Sequence, residues 1–352
     1  MIGPHDFSLQ ALHEFQTKLK PDKAVALIDS CFRDNYSERL APLREIVPEP
    51  MCLYLNGGED TKTLGLVREV ALRLNDCKVT RRSLLYVVGG GSLLDFGGFL
   101  AAVYKRGIAV AYIPTTLMAM VDAAYGGKTA INAGEVKNLL GIFKEPDAIF
   151  LDESFLDSLS DREILSGYAE IVKYALLEDE TFFGKVLSTD PLTHPAQLRA
   201  LIDQCIHIKK RFVEADPLDL GTRQALNVGH TVGHALEGYS HATARPGFSP
   251  LRHGEAVLIG IIVELYIAHK LLGFPAERLQ QIIAFSREYF SPFLFECKQY
   301  DAIIKLMAQD KKNSGDDIAV LALRRIGEPI KINVSRAQLR NAFDFYREVI
   351  GG

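Results

Sequence analysis

The stretch "SLLYVVGGGSLLDFGGFLAA", residues 83–102, decides the fold prediction. It opens with an apolar run typical of a buried strand, stops at three glycines, and continues with the apolar spacing of a helix. Such a glycine turn lets a phosphate come close to the backbone, and the helix start offers free amides and the positive end of the helix dipole. The run is not GxGxxG, so a plain strand-to-helix turn is the alternative interpretation.

On both sides of this stretch, the first half of the chain alternates short strand-like runs with helical patterns. The strand-like runs are "KAVALIDS" (23–30), "MCLYLN" (51–56), "IAVAYIPTT" (108–116) and "DAIFLD" (147–152). Such alternation implies right-handed βαβ units and a mostly parallel sheet. After about residue 153, long amphipathic segments dominate until "IAVLALR" near residue 318. We therefore predict an α/β domain at 1–152 and an all-helical domain at 153–352.

Composition excludes several classes of function. The 352 residues exceed a comfortable single core, which favours two domains. Lys and Arg number 40 against 44 for Asp and Glu, so no basic surface for nucleic acid is expected. The five cysteines are scattered without a CxxC pair, which indicates reduced thiols and a cytoplasmic protein. The most apolar stretch, 256–269, is interrupted by Glu264, and no membrane segment is predicted.

A candidate metal site is spread over three helical segments. "LNVGHTVGHALE" (226–237) sets His230 and His234 one helical turn apart in an apolar stretch. Glu170 lies in "LSGYAEIVKYALLED" (165–179), and His253 lies in "RHGEAV" (252–257). A catalytic zinc site takes three such ligands and keeps one position open. Spacing does not decide between His230 and His234, and histidines satisfied within the core are the alternative. "HTVGH" lacks the glutamate of HExxH, so a zincin protease is not expected.

Several basic and amide side chains could together hold a small polyanion. Each taken alone is typical of a solvated surface, a loop or an exposed ion pair. They are Lys128, Lys137 and Asn138, near Asp122 in a glycine-containing loop, Lys173, three residues after Glu170, and Lys209, Arg223, Asn227, Lys311 and Lys312.

The order of these motifs along the chain resembles the sugar-phosphate cyclases, most closely the 3-dehydroquinate synthase family. The resemblance rests on "GGED" (57–60), "GGGSLLD" (89–95), "PTT" (114–116), "SGYAEIVKYAL" (166–176), "GTRQALNVGHTVGHALE" (221–237), "LRHGEAV" (251–257) and "DKKN" (310–313). It extends in order from about residue 23 to 330. It implies a Rossmann-like domain followed by a helical domain, NAD and a divalent metal (zinc, possibly cobalt) as cofactors, and a homodimer.

The resemblance also assigns roles to individual residues. The metal ligands would be Glu170, His230 and His253, with His234 beside the substrate. NAD would meet Asp29, Glu59, Lys62, Gly90, Gly91, Ser92, Leu93, Asp95, Thr115, Thr116, Lys128, Lys137, Phe155 and Ser158. The substrate would meet Arg106 from the partner subunit and Lys128, Lys137, Asn138, Lys173, Lys209, Arg223, Asn227, His234 and Lys312 (or its neighbour Lys311). The catalytic residues among these sets would be Lys128, Asn138, Lys173 and His234, joined by Asp122.

The implied reaction converts 3-deoxy-D-arabino-heptulosonate 7-phosphate to 3-dehydroquinate and phosphate, in the shikimate pathway to the aromatic amino acids. It would proceed by transient NAD-dependent oxidation, phosphate elimination, re-reduction and internal aldol closure. The alternatives are a cyclase that makes a valiolone or inosose ring, a metal-dependent polyol dehydrogenase, and a catalytically inactive paralogue. Arg223 and Asn227 suit a carboxylate-bearing substrate and therefore favour the reaction that forms 3-dehydroquinate. Ala124 and Tyr125 depart from the family pattern, as does a longer loop before His253.

Overall fold

A computed structural model of the chain describes residues 3–33, 37–134, 136–244, 249–308 and 317–351. These residues form two compact units: unit 1 spans 1–160 and 194–218, and unit 2 spans 161–193 and 219–352. A helix at Pro195–Ala215, in the helical half of the sequence, therefore belongs to unit 1. The domain ranges 1–152 and 153–352 stay a prediction, and they differ from the compact units chiefly in this helix.

The elements alternate as expected up to residue 151 and are mainly helical afterwards. The first part contains β1 (His5–Asp6), α1 (Leu9–Leu19), β2 (Ala24–Asp29), α2 (Ala41–Arg44), β3 (Cys52–Leu55), α3 (Leu64–Asp76), β4 (Leu84–Gly89), α4 (Gly91–Val103), β5 (Ala109–Pro114), β6 (Lys128–Ala133), β7 (Val136–Phe143) and β8 (Ala148–Leu151). The second part contains α5 (Asp161–Leu177), α6 (Glu180–Ser188), α7 (Pro195–Ala215), α8 (His230–Ala242), α9 (His253–Leu272), α10 (Ala276–Tyr289), α11 (Tyr300–Ala308), β9 (Ile318–Leu323), β10 (Pro329–Val334) and α12 (Arg336–Gly351).

Unit 1 is built on a six-stranded parallel sheet with strand order β1-β8-β5-β4-β2-β3. The chain runs from β2 outward to β3, then returns to the other side of β2 and continues through β4 and β5. The strand order therefore reverses between β2 and β4. In open α/β sheets, ligands bind at such a reversal, beyond the carboxyl ends of the strands. The strand order therefore predicts a ligand-binding site at the loops that follow β2 and β4.

Helix α4 lies close against this sheet because two of its residues are glycines. A Cβ on Gly97 would come within 2.5 Å of Val87 in β4, and one on Gly98 within 2.0 Å of the Tyr112 hydroxyl in β5. Real Cβ atoms do not approach other atoms so closely, so any side chain here would push the helix off the sheet. The pair Gly97–Gly98 therefore determines how near the start of α4 lies to the carboxyl edge of the sheet.

Unit 2 is organised around α9, which contacts α5, α8, α10 and α12 and is buried along most of its length. Helices α8 and α9 cross at nearly backbone contact, because a Cβ on Gly260 would lie 1.9 Å from the carbonyl oxygen of Gly229. Helices α9 and α5 meet in the same way, since a Cβ on Gly254 would lie 1.8 Å from the Ser166 carbonyl. These crossings bring the first turns of α8 and α9 next to the middle of α5.

The predicted fold class is confirmed: a parallel Rossmann-like sheet is followed by a helical unit. Two hairpins add detail to it. Strands β6 and β7 pair antiparallel in unit 1, and β9 pairs antiparallel with β10 in unit 2. Among the described residues, no helix combines the length and apolar character needed to span a bilayer.

Candidate active site

The glycine turn of unit 1 lies at the sheet reversal. Strand β4 ends at Gly89, and α4 begins at Gly91 with Gly90 in the capping position. Within the described part of the chain, no side chain caps this helix start. The Leu93 and Leu94 amides donate to the Gly90 carbonyl at 3.1 Å, so the amides of this start that could face an anionic group are those of Gly91 and Ser92. Leu93 lies in the first turn, and its side chain is buried and closed to a ligand.

A buried lysine connects this turn to the hairpin β6–β7. Lys62 is 1% exposed, and its ammonium group donates to Asp95 of α4 at 2.7 Å and to the side-chain oxygen of Asn138 in β7. Its distance to Glu59 is 3.8 Å. Lys62 and Asp95 are among the residues predicted to contact NAD, and Asn138 is among those predicted for substrate binding and catalysis. The structure brings all three together, with the lysine as their common partner.

Glu59 and two asparagines extend this network. The Ser92 hydroxyl donates to Glu59 at 2.8 Å, and the Asn132 amide donates to the other Glu59 oxygen at 3.2 Å. Asn132 in turn accepts the backbone N–H of Asn138 at 2.9 Å. Asn138 has a φ of 53°, a left-handed conformation that asparagine tolerates better than most residues. This bond holds the Asn138 side chain toward Lys62.

The two carboxyl groups of the network differ in acidity. Burial raises the pKa of Asp95 to about 6, although Lys62 opposes the shift. Burial also acts to raise the pKa of Glu59, but Lys62 and the hydrogen bonds from Ser92 and Asn132 outweigh it and lower that pKa. Glu59 is therefore firmly anionic at neutral pH. Asp95 is the group whose charge responds to mildly acidic conditions.

The other residues assigned to NAD follow the carboxyl ends of neighbouring strands. Asp29 ends β2 and accepts the Cys31 amide at 3.1 Å. Thr115 and Thr116 follow β5, with the Thr115 amide bound to the Gly89 carbonyl at 3.0 Å. Because parallel strands end at one edge of a sheet, these residues share the edge where the glycine turn lies.

The turn after β8, Glu153–Ser158, contains the last two residues assigned to NAD. The Ser158 hydroxyl donates to the Phe155 carbonyl at 2.7 Å. Phe155 is fully buried, so it is a core residue whose side chain is closed to a ligand.

The remaining polar residues of unit 1 fall into two groups. Lys209 of α7 is 6% exposed and donates to the Asp122 carboxylate at 2.6 Å and to its backbone carbonyl at 2.5 Å. Lys128 and Lys137 on the hairpin are exposed, as is Arg106 in a turn where its φ is 69°.

In unit 2, the four residues predicted around the metal converge from three helices. Nε2 of His253 lies 3.3 Å, and Nε2 of His230 lies 3.6 Å, from the same Glu170 oxygen. Ligand atoms of His230, His234 and His253 all lie within 4.8 Å of one another. Glu170 and His230 are buried, His253 is half-buried and His234 is exposed. His234 thus lies on the open side of the cluster.

The rings of His230 and His253 are each oriented through Nδ1. His230 Nδ1 lies 3.1 Å from the Val228 carbonyl, and His253 Nδ1 lies 3.0 Å from the Glu237 carboxylate. An acceptor at Nδ1 places the ring proton there and leaves the Nε2 lone pair directed toward Glu170. This is the arrangement that metal-binding histidines require.

The electrostatics of the cluster suit a cation. Burial lowers the pKa of His230 to about 3, so that ring is neutral and able to act as a ligand. Burial also acts to lower the pKa of His253, but Glu170 and Glu237 outweigh it and raise that pKa to about 10. The two carboxylates therefore favour positive charge at His253, either as a proton or as a divalent ion that replaces it.

The substrate residues assigned to unit 2 lie near this cluster in the sequence and are mostly buried. Lys173 is 1% exposed and pairs with Glu170 at 2.5 Å, so this is a buried pair and not a surface i,i+3 contact. Arg223 is 2% exposed, and Asn227 is half-buried in the turn that precedes α8. Lys311 and Lys312 lie outside the described residues.

Sequence reasoning missed three residues whose hydrogen bonds position the predicted site residues. They are Asn132, Glu237 and Glu264. Glu237 ends the stretch that drew attention to the histidines, and its position seven residues after His230 places it on the same helix face. Glu264 is an acidic residue inside an apolar helix, which is itself a signal. Asn132 could be found only from the strand pairing.

These two halves define the class of protein. Unit 1 has a nucleotide-type sheet with a polar glycine turn at its reversal, and unit 2 has a histidine–carboxylate cluster on helices. These features indicate a metal-dependent enzyme that acts with a nucleotide cofactor.

Comparison with known proteins identifies the family. The model named 3-dehydroquinate synthase N-terminal matches residues 52–166, and the model named 3-dehydroquinate synthase C-terminal matches residues 167–313. A 3-dehydroquinate synthase of Parabacteroides distasonis is 40% identical over 346 residues, which cover 97% of this chain and 96% of that protein. The chain belongs to the 3-dehydroquinate synthase family, and the predicted family and activity are confirmed.

Solved structures with the same fold are more distant in sequence. A 2-deoxy-scyllo-inosose synthase complexed with carbaglucose-6-phosphate, NAD+ and Co2+ aligns with a TM-score of 0.84 at 24% identity, covering 97% of this chain and 95% of that one. A 2-epi-5-epi-valiolone synthase from Streptomyces hygroscopicus with NAD+ and Zn2+ bound aligns with a TM-score of 0.81 at 23% identity, covering 99% and 96%. At this level of identity, the likeness supports the fold.

Proposed function

We propose that this chain converts 3-deoxy-D-arabino-heptulosonate 7-phosphate to 3-dehydroquinate and phosphate, with NAD and one divalent metal ion, zinc or cobalt. The observation that carries the proposal is the convergence of Glu170, His230 and His253, with His234 on their open side, in a chain of this family. The inosose and valiolone synthases carry the same fold, but the 40% identical relative is a 3-dehydroquinate synthase.

Glu170, His230 and His253 are the proposed metal ligands. The donor set fits zinc or cobalt, since it offers one carboxylate and two imidazole nitrogens, with the Nδ1 atoms engaged elsewhere. His234 has a ligand atom within reach of the other two histidines, but it is exposed. We assign it to the substrate, because a catalytic site needs one position that is not taken by protein.

Asp29, Glu59, Lys62, Ser92, Asp95, Thr115 and Thr116 are the proposed side-chain contacts of NAD, and the glycine turn is its backbone cradle. Bound here, NAD would supply a hydride acceptor and donor, and a metal on the proposed ligands would supply a Lewis acid for the substrate hydroxyls. Lys62 offsets one of the two negative charges of Asp95 and Glu59 beside the α4 start, which weakens the repulsion between this edge and a pyrophosphate. Gly90, Gly91, Leu93, Phe155 and Ser158 would contribute through backbone or by shaping the turn.

The remaining residues are proposed to hold and neutralise the substrate. Lys128, Lys137 and Asn138 of unit 1 and Lys173, Arg223, Asn227 and His234 of unit 2 supply cations and donors for a phosphate, a carboxylate and hydroxyls. Lys209 reaches the substrate from its ion pair with Asp122, and Lys312 completes the set. Fixed donors stabilise developing negative charge better than mobile water does. Asp122, Lys128, Asn138, Lys173 and His234 would also assist proton movements.

A homodimer in a reducing compartment is the proposed state of the protein. We assign Arg106 to the partner's site because the family resemblance implies this role and because the residue is exposed. Strand β7 also exposes apolar side chains, namely Val136, Leu139, Leu140, Ile142 and Phe143, which a second copy could cover. None of the five cysteines forms a disulfide, which supports the cytoplasm as the compartment.

The test is phosphate release from the heptulosonate phosphate with catalytic NAD+, with and without a chelator, while absorbance at about 340 nm reports NADH. The proposal predicts stoichiometric, chelator-sensitive phosphate and no lasting NADH. A carboxylate-free hexose 6-phosphate and glycerol are the comparison substrates. Phosphate from the hexose 6-phosphate alone would reassign the chain to an inosose-type cyclase, and lasting NADH from glycerol would make it a polyol dehydrogenase.

A further inference from the structure

Glu264 is a fully buried acidic residue in the middle of α9, and neither the metal nor the substrate assignments use it. Its carboxylate accepts the backbone N–H of Gly229 at 2.6 Å and that of Val232 at 3.3 Å. Both donors belong to the start of α8. Burying a carboxylate among apolar side chains costs free energy unless the carboxylate accepts hydrogen bonds. The two backbone N–H donors meet this requirement for Glu264.

The start of α8 needs an external cap. The capping position is Gly229, whose φ is 79° and which has no side chain to offer. A Cβ here would lie 2.5 Å from Ile261 and 2.8 Å from the Val257 carbonyl, so α9 is too close for a side-chain cap at this position. The unpaired amides of the first turn therefore take their acceptor from α9. Glu264 is that acceptor.

The turn held in this way carries the proposed ligand His230. His230 is the first residue of α8, directly between the two capped positions, and His234 follows one turn later. The His230 ring also takes its Nδ1 partner, the Val228 carbonyl, from the segment that enters this turn. A shift of the first turn would therefore move both the ring and the carbonyl that orients it.

The second ligand helix also has an acidic side chain at its start, in this case from its own first turn. Helix α9 begins at His253, and its entry is held by Glu255, which accepts the Arg252 amide at 2.8 Å. Each of the two helices thus begins at a ligand histidine and has an acidic side chain at its start. The positive end of a helix dipole disfavours a nearby cation, and an acceptor on the first amides reduces that effect.

We propose that Glu264 is a positioning residue for the metal: it caps α8 from α9 and thereby holds His230 in the ligand geometry. The inference rests on the proposed ligand set of Glu170, His230 and His253. It adds a residue that touches neither metal nor substrate and acts through the backbone of Gly229 and Val232. Its loss should weaken metal binding while leaving a folded protein.

The test compares Glu264→Ala and Glu264→Gln with the wild-type chain. Co2+ affinity is measured by competition with a chelating dye, and the ligand geometry by the Co2+ visible absorption spectrum. Removal of a group that orients a ligand typically lowers metal affinity by about 10- to 100-fold, and we expect that range for Glu264→Ala. Glu264→Gln keeps one acceptor oxygen, so its affinity should lie between the two. Asp179→Ala is the matched control, because Asp179 caps α6, which carries no ligand.

Each outcome has a defined meaning. Weakened binding and an altered Co2+ spectrum in Glu264→Ala, with wild-type values in Asp179→Ala, support the proposal. Wild-type affinity and spectrum in a folded Glu264→Ala overturn it. If Glu264→Ala does not fold, the Gln variant decides by the same criteria. A wild-type protein that takes up no Co2+, or a His253→Ala variant that binds it normally, would instead refute the ligand set itself.

Discussion

Oε1 of Glu170 lies 3.3 Å from Nε2 of His253, although the two residues belong to different helices. Glu170 is fully buried, and its other oxygen faces Lys173 at 2.5 Å. One carboxylate therefore joins the proposed metal ligands to a lysine assigned to the substrate.

His253→Ala is expected to abolish stoichiometric metal binding, because it removes one of three proposed ligands. Metal content after dialysis, measured by mass spectrometry, checks this. His241→Ala is the control, since His241 is an exposed histidine in the last turn of α8. A His253→Ala protein that retained one metal per chain would exclude His253 from the set.

Glu237→Ala is expected to lower metal affinity by about 10- to 100-fold without removing a ligand, because the His253 ring loses its Nδ1 acceptor. Glu237→Gln keeps an acceptor oxygen and should lose less. The check is a chelator-competition titration of all three proteins. Equal affinities in the wild type and Glu237→Ala would show that this bond does not orient the ligand.

Asp95→Asn is expected to change how stability depends on pH. The pKa of Asp95 is raised to about 6 in the folded chain, so the native state holds a proton that the unfolded state releases between about pH 4 and 6. The ionised group therefore costs stability as pH rises through that window. The wild type should lose on the order of 1–2 kcal/mol relative to Asp95→Asn, after allowance for partial exposure. Urea titrations at several pH values measure this, and parallel curves would contradict it.

Arg106→Ala is expected to be rescued in trans. When it is mixed with His253→Ala and the subunits are exchanged, each mixed dimer should hold one site with intact metal ligands and an intact partner arginine. Random exchange predicts roughly a quarter of the wild-type activity from two inactive parents. Light scattering confirms the dimer in each sample. No recovery despite formation of mixed dimers would place Arg106 in its own subunit's site.

The sequence predicts the parallel strands well because each is a short apolar run that ends at a turn. The runs at 23–30, 83–91 and 108–116 correspond to β2, β4 and β5 within a few residues. Such signals are local. The hairpin β6–β7 has no such signal, because β7 is exposed along its whole length and shows no alternation of apolar and polar residues. From sequence, that stretch is accordingly predicted to be a loop.

The residue types of the site could be predicted, but their partners could not. The motifs give Glu170, His253 and the pair His230 and His234, and the structure brings these residues together. Only the family resemblance selects His230 over His234 as the ligand. The bonds of Asn138 to Lys62 and of Glu264 to Gly229 depend on how a hairpin and two helices are placed. A linear pattern carries no information on such contacts. In the sequence, Glu264 is visible only as an acidic residue that interrupts the apolar run 256–269.

The measurement that tests the central claim most directly is anomalous X-ray diffraction from crystals of the zinc-loaded protein. We expect one ion at about 2.0–2.2 Å from a Glu170 oxygen and from Nε2 of His230 and His253, without a bond to His234. An ion held by the three histidines with Glu170 outside its coordination sphere, or no ion at this cluster, would contradict it.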